Sequence, residues 1–137
     1  MSKPLSKSIN LKPIVDMRGK LIFAEAEKDI PFIIKRFFCL YDITESAVRG
    51  DHAHKNTRLV LYCLSGTCTV VLDNGQKTQS IRLSHPHEGL LIEPLIWHRI
   101  EKCSKGTVVL TLASEHFDES DYVRNYKEFK KYISKCN

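Results

Sequence analysis

The chain has 137 residues, an apolar fraction of 42% and a formal net charge of +5 at pH 7. This length is typical of one domain with a sizeable core, so we expect a single domain over residues 1–137. No apolar stretch reaches the roughly 18 residues of a membrane span, and the basic start lacks the apolar core of a signal peptide. The bases form no long block, which argues against nucleic-acid binding and suits a cationic cleft for a phosphorylated small molecule.

The cysteines indicate the cellular compartment. They are five in number, an odd count, and none of them forms a CxxC pair. This usage predicts reduced, structural thiols in a cytoplasmic protein. The residues are Cys39, Cys63, Cys68, Cys103 and Cys136.

Short apolar runs with turn signals between them follow one another along most of the chain. Their centres lie roughly a dozen residues apart, which is typical of an antiparallel sandwich or barrel. Asp73-Asn74-Gly75 is a strong tight-turn signal between two of them. We expect strands within residues 9–15, 20–25, 32–41, 58–64, 67–72, 76–83, 89–92, 96–101 and 107–114.

The tail has a different periodicity. Gaps of one, three and four separate its apolar residues, which predicts an amphipathic helix over about residues 119–134. Asp118 or Ser120 could cap its start. The expected apolar face, which we predict to pack on the outside of the barrel, consists of Tyr122, Val123, Tyr126, Phe129, Tyr132 and Ile133.

The most informative motif is the heptapeptide Arg49-Gly50-Asp51-His52-Ala53-His54-Lys55. If this segment is a strand, His52 and His54 point to the same face. Imidazole titrates near neutral pH and is also the commonest metal ligand. The pair therefore indicates either proton transfer or a metal site.

A third histidine strengthens both interpretations. A glycine, a His-x-His pair and a later histidine after a proline form the layout of a cupin, a small jelly-roll barrel. A metal-binding cupin also supplies a glutamate separated from the second histidine by three or four residues, where this chain has Arg58 and Leu59. This favours a site without metal, although three histidines can hold zinc. The matching residues are Gly50, His52, His54, Gly66, Gly89, Pro94 and His98.

A histidine without a metal could act as a general base and remove a carbon-bound proton beside a carbonyl. The enolate oxygen that then forms needs positive hydrogen-bond donors. Arg18, Arg49 and Lys55 are the candidate donors.

Longer motifs extend this pattern over nearly the whole chain. With them the chain resembles the sugar nucleotide 3,4-ketoisomerases, cupins that act on dTDP-4-keto-6-deoxyglucose. The Arg-Gly-x-His piece is also similar, more distantly, to the dTDP-4-keto-6-deoxyhexose 3,5-epimerases. The motifs are Asp16-x-Arg18-Gly19, Ile34-Lys35-Arg36, Arg49-Gly50-x-His52-Ala53-His54-Lys55, Leu72-Asp73-x-Gly75, Pro94-x-x-Trp97-His98, Leu112-Ala113-Ser114 and Phe117-Asp118-Glu119-x-Asp121-Tyr122.

The resemblance implies a tautomerisation that needs neither metal nor cofactor. His52 would remove the C3 proton of a dTDP-linked 4-keto-6-deoxyhexose, and His54 would handle the proton or stabilise the enediolate. The resemblance assigns Arg18, Arg49, Lys55 and His98 to substrate binding. Arg18 together with His98 is similar to the branch that forms the galacto product in deoxyamino-sugar biosynthesis.

The resemblance also implies a homodimer in which N-terminal strands, about residues 9–25, are exchanged between subunits. Three other functions remain open at this point: a dTDP-sugar 3,5-epimerase, a metal-dependent cupin and a non-catalytic sugar-binding cupin. The epimerase would need an acid on the opposite face of the sugar ring, usually a tyrosine.

Overall fold

Two five-stranded antiparallel sheets form the body of the molecule in the computed structural model, which describes residues 4–136. The basic start was predicted not to be a signal peptide, and its residues 1–3 lie outside this range. The first sheet contains, in spatial order, β1 (Lys7–Ser8), β9 (Gly89–Ile92), β6 (Leu59–Ser65), β11 (Val108–Ala113) and β4 (Arg36–Leu40).

The second sheet lies across the core from the first. The remaining two strands, β2 (Ile14–Asp16) and β3 (Gly19–Leu21), form a separate hairpin. The predicted all-β fold with one C-terminal helix is confirmed. The second sheet contains β12 (Tyr122–Val123), β5 (Arg49–His54), β10 (Trp97–Glu101), β7 (Cys68–Asp73) and β8 (Thr78–Leu83), and the helix is α1 (Tyr126–Cys136).

Strand β6 is buried on both faces. Leu59 and Leu61 point into the core between the sheets, whereas Val60 and Tyr62 pack in a second cluster that includes Ile30 of the N-terminal region. The sequence of a strand that is covered on both faces is apolar without interruption, whereas a strand with one exposed face alternates between apolar and polar residues. The N-terminal region thus closes the outer face of the first sheet.

The tail corrects the predicted helix of about residues 119–134. Asp118 caps a 3₁₀ turn, Glu119–Asp121, and Tyr122–Val123 then pairs with β5 as the edge strand β12. The helix α1 begins at Tyr126, because the side chain of Asn125 accepts a hydrogen bond from the backbone N–H of Glu128 at 3.1 Å. Phe129 of α1 packs against the outside of the barrel, as predicted.

The N-terminal strands also differ from their predicted bounds. Most of the predicted strand 9–15 is not a strand, because β1 ends before it and β2 begins only at Ile14. In the predicted strand 20–25, β3 already ends at Leu21. The later runs contain β4 and β6 to β11, with ends shifted by at most a few residues.

No helix among the described residues is long and apolar enough to cross a membrane. All five cysteines lie within the described residues, and each is a free thiol.

Candidate active site

A β-bulge in β5 directs His52 into the barrel. Gly50 and Asp51 have positive φ values of 80° and 62°, and the β5–β10 ladder shifts there so that His98 lies opposite His52. Glycine adopts this left-handed conformation without a steric cost, and aspartate tolerates it better than most residues. Asp51 is the extra residue of the bulge, and its carboxylate accepts a hydrogen bond from Trp97 Nε1 at 3.0 Å.

The structure brings the three predicted histidines together. The ring centroid of His52 lies 5.0 Å from that of His54 and 4.8 Å from that of His98. Between His54 and His98 the distance is 5.7 Å, with nearly parallel rings. His54 and His98 are buried, and His52 is partly exposed.

A cavity of about 200 Å³ opens beside His52. Of the predicted site residues, His52, His98 and Arg49 line it, and His54 lies behind this wall. Arg36 and Arg49 provide positive charge at the cavity, while most of the remaining wall is apolar. Those other lining residues are Phe38, Leu40, Gly50, Leu59, Leu61, Ile100, Thr111 and Tyr122.

Asp121 anchors His54 from the side opposite the cavity. Its Oδ2 lies 3.1 Å from His54 Nδ1 and also accepts a hydrogen bond from the Thr57 hydroxyl. The other carboxylate oxygen accepts the backbone N–H of Asn56 at 2.7 Å. Although burial raises the pKa of Asp121, the hydrogen bonds from Thr57, Asn56 and His54 hold it below its usual value. Asp121 is therefore an anion at neutral pH.

Burial keeps all three imidazoles uncharged at neutral pH. Burial, together with the charge of neighbouring His54, lowers the pKa of His52 to about 4. Burial and the two other histidines lower the pKa of His98 to about 3. Burial also lowers the pKa of His54, and the hydrogen bond that His54 donates to the negatively charged Asp121 only partly offsets this effect. Neutral imidazoles have a free lone pair, as a general base requires.

Besides Asp121, sequence reasoning missed two further residues at this site. Tyr122 was assigned to a helix face, yet its ring centroid lies 4.4 Å from that of His54 and 4.9 Å from that of His52. Arg36 donates a hydrogen bond from Nη1 to the Tyr122 hydroxyl at 3.4 Å. Both residues occur in motifs that carry the family resemblance, and this was the signal that could have identified them.

Two predicted substrate-binding residues do not line the cavity within one subunit. Arg18 lies at the tip of the β2–β3 hairpin with its side chain 91% exposed, and it pairs with Asp16 at 2.6 Å. Lys55 follows the inward-facing His54 and places its Nζ 5.6 Å from the centre of the Tyr132 ring on α1. Lys55 therefore contacts the helix α1 and not the cavity.

The histidine cluster also has the donor set of a metal site. One nitrogen atom from each of His52, His54 and His98 lies within 4.8 Å of the others, and no carboxylate joins them among the described residues. Leu59 faces the core and Arg58 pairs with Glu93 at 2.8 Å, so neither supplies the fourth cupin ligand. Three neutral imidazoles are a donor set that suits a transition metal, and these three residues would hold the ion.

Comparison with known proteins identifies the family. The FdtA family model, described as WxcM-like, C-terminal, matches residues 5–134. The chain belongs to the FdtA family. The TDP-4-oxo-6-deoxy-alpha-D-glucose-3,4-oxoisomerase of Aneurinibacillus thermoaerophilus is 46% identical over 132 residues, which are 96% of this chain and 95% of that protein. The predicted resemblance to sugar nucleotide 3,4-ketoisomerases is therefore confirmed.

Solved structures support the same conclusion for this FdtA-family chain. A 3,4-ketoisomerase from Helicobacter canadensis is 39% identical with a TM-score of 0.92, over 94% of this chain and 97% of that one. A variant of the 3,4-ketoisomerase QdtA from Thermoanaerobacterium thermosaccharolyticum, in complex with TDP-4-keto-6-deoxyglucose, is 36% identical with a TM-score of 0.94, over 98% and 97% of the two chains. The predicted isomerase class is confirmed.

The more distant resemblance extends to the fold alone. A dTDP-4-dehydrorhamnose 3,5-epimerase from Bacillus anthracis is 17% identical with a TM-score of 0.74, over 85% of this chain and 76% of that one. The FdtA-family chain and the epimerase thus share a barrel, and the residues of the site must distinguish their chemistry.

Proposed function

We propose that this chain converts dTDP-4-keto-6-deoxy-D-glucose to a dTDP-3-keto-6-deoxyhexose by moving the carbonyl from C4 to C3. The observation that carries the proposal is the neutral His52 ring at the wall of a cavity that also contains Arg36 and Arg49. A base beside cationic donors matches the needs of proton removal next to a ketone. The relatives' activity on TDP-4-oxo sugars supports this choice of substrate.

The reaction requires one base and balanced proton movements. His52 takes the proton from C3, the C3–H electron pair forms the C3=C4 double bond, and the carbonyl electron pair moves to O4. The proton of the C3 hydroxyl of the resulting enediolate passes to O4, and C4 gains a proton in place of the one that His52 removed from C3. The carbonyl thereby reforms at C3, a hydroxyl forms at C4 and the base is regenerated. A positioned base typically contributes roughly 10² to 10⁴ in rate.

The other groups at the site have distinct tasks in this scheme. Arg36 and Arg49 bind the diphosphate or the developing oxyanion, because both line the cavity. His98 lies beside His52 on the neighbouring strand β10 and also lines the cavity, and we assign it to contact with the sugar. His54 and Tyr122 lie against the His52 ring, where they could pass a proton on.

Arg18 has a place in the site only if a second subunit supplies it. The β2–β3 hairpin pairs with no other strand of the described chain, and Ile14, Val15 and Met17 on it are exposed. An isolated two-stranded hairpin with an apolar surface is marginally stable in water. We therefore propose a homodimer in which this hairpin packs on the partner subunit and brings Arg18 to the partner's cavity.

The edge strand β4 is the surface that the hairpin would meet. It ends the first sheet, and Phe37 on its outer face is 68% exposed. An open strand edge with an exposed aromatic residue is a ready site for strand addition. The inward residues of β4, Arg36 and Phe38, line the cavity, so a hairpin docked there would lie next to the site.

We further propose the galacto configuration for the product and a cytoplasmic location. The presence of both Arg18 and His98 supports the galacto configuration, because this combination is similar to the branch of the family that forms the galacto product. The free state of all five cysteines supports a reducing compartment.

A 3,5-epimerase is the second candidate, because Tyr122 places a phenol at the same cavity. Epimerisation also starts with proton removal from C3, but it then continues at C5. Incubation of the protein with dTDP-4-keto-6-deoxyglucose in D₂O, followed by ¹H and ¹³C NMR, distinguishes the two reactions.

An isomerase moves the ketone signal to C3 and introduces deuterium at C4, with no label at C5. Deuterium at C5 with the ketone still at C4 would reject the isomerase in favour of the epimerase. The same spectra give the C4 configuration. His52→Asn should abolish carbonyl migration, and metal analysis of active protein purified without chelators tests the metal-dependent alternative.

A further inference from the structure

The structure assigns a positioning role to Asp121: its carboxylate fixes His54 in the tautomer that carries its proton on Nδ1 and leaves Nε2 free to accept one. This inference rests on the proposed function, in which His54 handles a proton during carbonyl migration. Asp121 itself does not line the cavity, so it acts through His54.

The first step of the argument is the hydrogen bond that joins the two side chains. His54 Nδ1 lies 3.1 Å from Asp121 Oδ2, and both residues are buried. An ionised carboxylate can only accept hydrogen bonds. The shared proton must therefore reside on Nδ1 of a neutral His54, which makes Nε2 an unprotonated acceptor.

The second step concerns the environment of Nε2. This nitrogen is buried and has no hydrogen-bond partner within the described chain. The His54 ring lies among the rings of His52, His98 and Tyr122. A buried acceptor without a partner is costly, and such an atom in a histidine cluster is expected where a proton has to arrive.

The third step is that the surroundings hold the carboxylate in place. Thr57 and the backbone N–H of Asn56 donate to its two oxygens, and the backbone carbonyl of Asp121 accepts the N–H of Lys55 at 2.8 Å. The carboxylate is thus preorganised by the residues that follow His54 in sequence. A preorganised negative charge stabilises an imidazolium that forms transiently at His54.

The same logic distinguishes Asp121 from other acids near it. Asp118 belongs to the same 3₁₀ turn, but its carboxylate caps that turn by accepting the backbone N–H of Ser120 at 3.0 Å. It makes no contact with a histidine among the hydrogen bonds of the described residues. Asp118→Asn is therefore a matched control for the loss of a charge in this segment.

The test combines ¹⁵N NMR of the imidazole rings with kinetics on three variants: Asp121→Asn, Thr57→Val and Asp118→Asn. The wild-type protein should show His54 protonated on Nδ1, with the signal assigned by its absence in His54→Gln. In Asp121→Asn the side-chain amide can donate to Nδ1, so the proton should move to Nε2. We expect kcat to fall on the order of 10²-fold, with KM changed about twofold at most, because His54 loses the nitrogen that accepts a proton but the sugar contacts remain.

The two controls separate positioning from structural support. Thr57→Val removes one hydrogen bond but keeps the charge, so His54 should stay protonated on Nδ1 and kcat should fall only several-fold. Asp118→Asn should keep both the wild-type tautomer and the wild-type kcat. A wild-type His54 protonated on Nε2 would overturn the inference, as would an Asp121→Asn protein with native kcat.

The NMR measurement distinguishes a failure of this inference from a failure of the proposed function. If the NMR shows the Nδ1–H tautomer but no variant or wild-type protein moves the carbonyl, the proposed function is wrong and the tautomer assignment stands. If the wild-type protein is an active isomerase with the other tautomer, only the role of Asp121 is wrong.

Discussion

Tyr122 lies directly opposite His54 in the antiparallel pairing of β12 with β5, and this register places their ring centroids 4.4 Å apart. A two-residue strand thereby attaches a tyrosine from the C-terminal segment to the wall of the cavity. The preceding residue, Asp121, reaches the other side of the same histidine. One short contact between distant segments thus supplies two of the side chains that surround His54.

Replacement of Tyr122 by phenylalanine should weaken substrate binding. The ring contacts with His52 and His54 remain, so we expect the fold to persist, but Arg36 loses the phenol oxygen that accepts its hydrogen bond. A single such bond contributes about 1 kcal/mol, so KM should rise several-fold. Steady-state kinetics measure the change. Tyr132→Phe on α1 is the control, and equal KM values for the two variants would contradict the expected role of Arg36.

Replacement of Gly50 by alanine should damage both stability and activity. Gly50 has a φ of 80°, and a Cβ there would lie 3.3 Å from the backbone oxygen of His98. Gly106 has a φ of 78° but open space around its Cβ position, so Gly106→Ala is a matched control with backbone strain alone. That strain costs about 1 to 2 kcal/mol in either variant.

Urea denaturation should therefore show a larger loss of unfolding free energy for Gly50→Ala than for Gly106→Ala. The activity of Gly50→Ala should also fall, because the bulge that directs His52 is disturbed. Equal stabilities together with native activity in both variants would show that the bulge tolerates a side chain.

The buried histidines should make the protein less stable as the pH falls below neutrality. The pKa values of His52 and His98 are about 4 and about 3 in the folded chain, whereas the unfolded value is near 6.5. Between these values the unfolded chain binds more protons, so the free energy of unfolding must decrease as the pH falls. The loss begins near the unfolded pKa and is complete only below the folded ones.

Denaturation curves recorded between pH 8 and pH 4 measure this dependence. His52→Asn and His98→Asn each remove one titrating group and should flatten the curve. A wild-type free energy of unfolding that stays constant as the pH drops from 7 to 5 would rule out buried, neutral imidazoles.

The exchange of hairpins predicts complementation between two inactive variants. Arg18→Ala lacks the arginine that we place in the partner's site, and His52→Asn lacks the base. In a mixed dimer, the barrel with an intact His52 receives the hairpin with an intact Arg18. Co-expression with two different tags and tandem purification should yield about half of the native activity, since one of the two equivalent sites is complete.

The pure Arg18→Ala and His52→Asn dimers serve as controls in the same assay. Activity of the mixed dimer at the average of the two parents would place Arg18 outside the partner's site. A monomeric wild-type protein in analytical ultracentrifugation would reject the dimer altogether.

The barrel could be predicted from local sequence patterns because its strands carry their own signals. The sequence of β6 is apolar from Leu59 to Leu64, and Asp73-Asn74-Gly75 marks the turn after β7. His52 and His54 were assigned to one face because the period of two along a strand needs no tertiary knowledge.

The tail was misassigned because its contacts are distant in sequence. The spacing of Tyr122 and Val123 also fits a helix, and only pairing with β5 selects a strand. Asp121 is satisfied by His54, 67 residues away in sequence. Propensity and periodicity describe neighbours along the chain, so neither could identify this partner.

The single tryptophan of the chain occupies a position that links the helix to the site. Trp97 is buried under α1, where its ring meets those of Tyr126 and Phe129 with centroids 5.3 and 5.5 Å away, and it directly precedes His98. Its intrinsic fluorescence therefore reports both on the packing of α1 against the barrel and on the surroundings of His98. A red shift of the emission would reveal undocking of α1 in real time, without any added label.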